Sequence, residues 1–162
     1  MKVFLSHAVG PLDASIPARL RAVAAAYDIE ILLPERPQWS SNEVSGDSIN
    51  KVALSDAVIA LATTTANYND ISLLNRELQM AAQLKKPVVT LIEQGVALQA
   101  PPNTYIINFN RRDYRFHEQS LFNVLSQMRN QQQQQTTITA LGWIAGIALG
   151  LVALGALFGD EK

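Results

Sequence analysis

Apolar and polar positions follow two alternating periods along the first 130 residues. Compact, largely apolar runs at residues 2–5 (KVFL), 29–33 (IEILL), 57–62 (AVIALA), 88–92 (VVTLI) and 104–109 (TYIINF) predict five strands. The run AVIALA contains no polar position, as expected of a strand covered on both faces. Between these runs the spacing turns helical. Residues 16–27 bring Ile16, Leu20, Val23 and Ala24 to one face, and residues 71–84 do the same for Leu74, Leu78, Ala81 and Ala82. A shorter helix is expected at 47–54, capped by Ser45 or Asp47, and another at 117–130 with Leu121, Phe122, Leu125 and Met128 inward. Ser72 stands near the start of the 71–84 helix as a candidate cap, and Lys85 and Lys86 follow its end, where cations complement the helix dipole.

Strands alternating with helices predict an α/β fold with a mainly parallel five-stranded sheet. Right-handed crossovers favour a flavodoxin-like arrangement, in which ligands bind beyond the C-terminal ends of the strands. Those ends fall at residues 6–10, 34–46, 63–70 and 93–95. The 34–46 segment, PERPQWSSNEVSG, is long for a connection in a compact domain, and such loops are usually functional.

The pattern changes character after residue 130. A glutamine run at 131–137 (QQQQQTT) is either a spacer or, since glutamine is a good helix former, a helical extension. Residues 138–158 (ITALGWIAGIALGLVALGALF) then contain no charge and would span about 32 Å as a helix, which predicts a transmembrane segment. Gly142, Gly146 and Gly150 recur at every fourth position, a ridge that suits close helix–helix packing and hence a homo-oligomer. Arg111, Arg112, Arg115 and Arg129 precede the span and only Asp160, Glu161 and Lys162 follow it, so the 1–130 domain is expected on the cytoplasmic side. The organisation is therefore one domain at 1–130, a linker or extension at 131–137, a membrane helix at 138–158 and a short tail at 159–162.

Charge and composition narrow the function. Ahead of residue 138 stand 12 Lys and Arg against 12 Asp and Glu, a neutral balance that argues against a nucleic-acid binder. The chain has no cysteine, which excludes disulfides and thiolate zinc sites, and two histidines make a histidine-rich metal site improbable. The opening apolar run, three residues long, is too short for a signal peptide. The stretch 111–117 (RRDYRFH) is a solvated basic turn or a contact for anionic lipid headgroups.

No GxGxxG, P-loop, nucleophile elbow or metal-ligand pair is present. What remains is Glu77, a carboxylate among Leu74, Leu78 and Ala81 on the 71–84 helix. It is either a catalytic group or one charge on a solvated helix face. Ser6 and His7 either line a ligand site at the C-terminal sheet edge or end a strand. Trp39 either stacks on a base, touches a neighbouring subunit or packs back on its own domain.

In order, KVFLSHA, GDSINKVALSDAVIALAT and ISLLNRELQMAAQLKKPVVTLI resemble the Toll/interleukin-1 receptor (TIR) domains, particularly bacterial defence-type members, over residues 2–127. Nucleoside deoxyribosyltransferase-like folds share part of this pattern. The TIR resemblance implies cleavage of the N-glycosidic bond of NAD+ (hydrolysis or cyclisation), with NAD+ as substrate and no separate cofactor. It implies Glu77 as catalytic residue, with Ser6, His7, Trp39 and Ser72 around the nucleotide. It also implies self-assembly through the domain's loops, with 34–46 completing a neighbour's site, a role in anti-phage immunity, and a bacterial inner membrane as location. The alternative is a non-enzymatic effector that senses a partner or nucleotide signal and oligomerises to disrupt the membrane.

Overall fold

The computed structural model describes residues 1–35, 43–102 and 104–110, together with Asn123, Ser126, Gln127, Arg129 and Asn130. Five strands form one sheet: β1 (Lys2–Ala8), β2 (Glu30–Leu32), β3 (Ala57–Ala62), β4 (Val88–Glu93) and β5 (Tyr105–Phe109). Their order is β2-β1-β3-β4-β5 and all four pairings are parallel, which is the flavodoxin-like order. The central strands β3 and β4 are buried at every position, because helices or connecting segments cover both sheet faces.

Helix α1 (Ile16–Ala25) lies on one face and helices α2 (Gly46–Leu54) and α3 (Tyr68–Gln83) on the other. On the α1 side Leu20 and Ala24 pack with Val3, Leu5, Ile31, Ile59, Leu61, Val89, Leu91 and Ile107. On the opposite side Val52, Leu74, Leu78 and Ala81 meet Phe4, Ala8, Val58, Ala60, Ala62 and Val88. Both α1 and α3 end with the same backbone device. Asp28 (φ 56°) and Lys85 (φ 54°) are left-handed, and the next amides, of Ile29 and Lys86, reach back to the carbonyls of Ala24 and Ala81. These are Schellman closures, each turning the chain into the following strand.

Several expected boundaries move. β1 runs on through Ser6, His7 and Ala8, because Ala60, Leu61 and Ala62 of β3 offer continuous parallel partners. Polar Ser6 and His7 looked like the end of a strand, yet strand pairing does not require apolar side chains. α3 begins at Tyr68 and not near Ser72. Its cap is Asn67, whose side chain accepts the Asp70 amide at 2.9 Å. The α2 cap is Ser45, one of the two candidates, which accepts from the Ser48 amide. Val23, expected inward, is 38% exposed, since the buried line of α1 runs Pro17–Leu20–Ala24 and Val23 sits about 90° off it.

Among the described residues no helix is long and apolar enough to cross a membrane. The expected membrane helix at 138–158, with Gly142, Gly146 and Gly150, lies outside the described residues, as do the 131–137 run, Trp39, and residues 111–117. The five described positions between 123 and 130 are all helical, in keeping with the helix expected at 117–130. Arg129 reaches back from there to the Tyr27 carbonyl at 2.7 Å and to Asp28 at 3.4 Å, where it closes the end of α1.

Candidate active site

Parallel strands alternate their side chains between faces, so Phe4, Ser6 and Ala8 of β1 point toward α3 while Val3, Leu5 and His7 point toward α1. The register sets Ser6 beside Ala60 and Ala8 beside Ala62. Under α3 the C-terminal halves of β1 and β3 therefore present a square of four small residues. No side chain of β1 or β3 larger than a serine stands on that face there. α3 comes close enough for Glu77, on the same helical stripe as Leu74, Leu78 and Ala81, to meet the strand directly.

The Ser6 hydroxyl donates to Glu77 Oε2 at 2.5 Å, and both residues are wholly buried. Glu77 is thus no solvated surface charge. It stands about 7 Å inside the C-terminal edge of β1, since Ser6 lies two residues before Ala8. The hydrogen bond satisfies a polar side chain that would otherwise be buried without a partner from the sheet. The pair lies below the C-terminal edge of the sheet, beyond which open α/β folds bind their ligands.

Above it, three loops are joined into a rim. Thr65 Oγ1 donates to Asp13, lies 3.0 Å from Thr63 Oγ1, and accepts the Gly10 amide at 3.1 Å. Thr64 donates to Glu93 Oε2 through both its amide, at 2.8 Å, and its hydroxyl, at 3.0 Å. The Thr63–Thr64–Thr65 turn is thereby tied to the loop after β1 and to the end of β4. Asp13 and Glu93 are themselves almost fully buried. Gly10 is needed for this arrangement: a Cβ there would lie 2.2 Å from the Thr65 carbonyl oxygen.

The entry to the 34–46 loop is fixed from α2. Lys51 Nζ donates to the Leu33 carbonyl at 2.9 Å and to Asp47 at 2.7 Å, and Asp47 accepts the Glu35 amide at 3.1 Å. The Lys51 ammonium hydrogen-bonded to it holds the Asp47 carboxyl below its ordinary 3.8. Trp39, farther along this loop, is not among the described residues.

Of the residues singled out in the sequence, the structure brings Ser6 and Glu77 into contact. His7 is half-buried on the opposite sheet face, and Ser72 sits about 140° around α3 from Glu77, so neither lies on the face where that pair meets. Asp13, Thr64, Thr65 and Glu93 emerge from the structure alone. Their loops were legible as strand ends, but no local signal pairs a threonine with a carboxylate 29 or 52 residues away.

No protein-family model matches the chain, and no curated protein sequence matches it. Among solved structures, a CMP N-glycosidase from Clostridium botulinum is similar, with a TM-score of 0.52 and 12% sequence identity over 75% of this chain and 99% of that one. At that identity the likeness is one of fold: the five-stranded parallel sheet with its flanking helices is an architecture that also houses a nucleotide N-glycosidase.

Proposed function

We propose that the 1–130 domain hydrolyses the N-glycosidic bond of a nucleotide, with NAD+ as substrate and Glu77 as the catalytic carboxylate. The observation that carries this reading is the buried Ser6–Glu77 pair inside the C-terminal edge of the sheet. The shared architecture with a CMP N-glycosidase supports the reaction class. Cleavage leaves positive charge on C1′ and the ring oxygen of the ribose, and a carboxylate fixed in a dry site stabilises that charge electrostatically. The C1′–N bond breaks with both electrons going to nitrogen, and water adds to C1′ and gives up a proton. NAD+ and water thus become nicotinamide, ADP-ribose and H+. Nicotinamide is already cationic while attached and leaves neutral, so this leaving group needs no general acid. A site with one central carboxylate suits it. Glu77 and Ser6 are sealed from solvent here, so the proposed turnover requires the segments that cover them to open.

Anchoring by residues 138–158, self-association along Gly142, Gly146 and Gly150, and a TIR-type role in defence belong to the same proposal and rest on the sequence. The test is release of nicotinamide from NAD+, and of cytosine from CMP, by the purified full chain in detergent or lipid. Glu77→Gln should lower kcat by about 100- to 1000-fold. Cytosine release without nicotinamide release would keep the reaction class and replace the substrate. No release of either base, or a fully active Glu77→Gln, overturns the reading.

A further inference from the structure

We infer that Ser6 is a positioning residue of Glu77 and donates no hydrogen bond to the substrate. This rests on the proposed N-glycosidase reading. A serine hydroxyl has one proton to donate, and Ser6 spends it on Glu77 Oε2 at 2.5 Å. Both groups are wholly buried, so no bulk water competes for that proton. The hydroxyl therefore has no proton left for a ribose oxygen while the pair is intact.

Its position makes it a good anchor. β1 lies between β2 and β3 in the sheet, and Ser6 is registered against Ala60 of the fully buried strand β3, so its Cα is among the best-fixed points of the domain. The terminal torsion of a glutamate is broad, so the carboxylate plane is set by the groups bonded to it. The bond from Ser6 of β1 ties that plane to the sheet. The alanines at 8, 60 and 62 complete the device, since they let α3 approach within reach of so short a side chain.

Ser6→Ala removes one oxygen and leaves the strand pairing intact. It should lower kcat about 10- to 100-fold with KM changed less than twofold, the mark of misplacement and not of lost binding. Ser6→Thr keeps the hydroxyl on a residue that favours strands and should recover most of the loss. A merely structural serine would lower the melting temperature and leave kcat alone. A second readout needs no turnover. In protein labelled with 13C at glutamate Cδ, the Glu77 resonance, identified by its loss in Glu77→Gln, should shift in Ser6→Ala and return toward its wild-type position in Ser6→Thr. An unmoved resonance, an unchanged kcat, or a raised KM at constant kcat overturns the inference. The two proposals separate cleanly. An inactive Glu77→Gln beside a fully active Ser6→Ala defeats positioning alone, and a fully active Glu77→Gln defeats the glycosidase reading. If neither NAD+ nor CMP is cleaved, the resonance decides.

Discussion

Replacing Gly10 by alanine tests whether the rim is built as described. The backbone there (φ −77°, ψ 174°) is open to any residue, so conformational strain does not enter. Contact does. The new Cβ would lie 2.2 Å from the Thr65 carbonyl oxygen, 2.6 Å from Thr65 Cβ and 2.7 Å from Thr65 C, all inside the 3.0 Å that real Cβ atoms respect. Two of these are backbone atoms, which cannot rotate away, so the loops must separate by about 0.8 Å. That retreat breaks the 3.1 Å bond from the Gly10 amide to Thr65 Oγ1 and strains the Thr65 bond to Asp13. A neutral hydrogen bond is worth about 1 kcal/mol and one to a charged group about 1.5–3 kcal/mol, so Gly10→Ala should cost about 2–4 kcal/mol. Urea unfolding measures it, and the melting temperature should fall by roughly 10 °C. Thr65→Val removes the hydroxyl that Gly10 approaches, so the two substitutions combined should cost about 1–3 kcal/mol less than their sum. A Gly10→Ala variant within about 0.5 kcal/mol of wild type, the spread of ordinary surface substitutions, would refute the reasoning.

Two further outcomes follow from other parts of the structure. Ala62→Leu overfills the small-residue square under α3; it should destabilise by about 1–3 kcal/mol and reduce N-glycosidase turnover, as urea melts and base-release assays would show. The Asp47 carboxyl sits below 3.8 because of Lys51. Unfolded Asp47 binds its proton more readily than folded Asp47, so the stability it contributes is fully present above the unfolded value and is lost as pH falls through the lower folded one. Asp47→Asn should flatten that acid dependence, and urea melts at a series of acid pH values would reveal an unchanged slope if the Lys51 contact were inert.

What the amino-acid sequence determined by itself was local. Apolar runs and helical spacing are set by neighbours within one or two turns, so AVIALA announced a strand covered on both faces, VVTLI a further strand and the Leu74–Leu78–Ala81 stripe a packed helix. Alternation of the two periods was enough for the parallel sheet, and crossover handedness favoured the flavodoxin-like arrangement without fixing the strand order. The stripe also marked Glu77 as a carboxylate among core residues, though it left open whether that charge faced solvent.

Tertiary structure decided that question, because the answer lies 71 residues away in Ser6. A polar pair after KVFL ends a strand when judged locally. It continues one when β3 offers parallel partners, and a buried hydroxyl is tolerated where a carboxylate accepts its proton. The same holds for the rim, where Gly10, Asp13, Thr64, Thr65 and Glu93 gain meaning only through contacts that join separate strand ends. Hydrophobic period is written along the chain, whereas satisfaction of buried polar groups is settled between segments that the fold alone brings together.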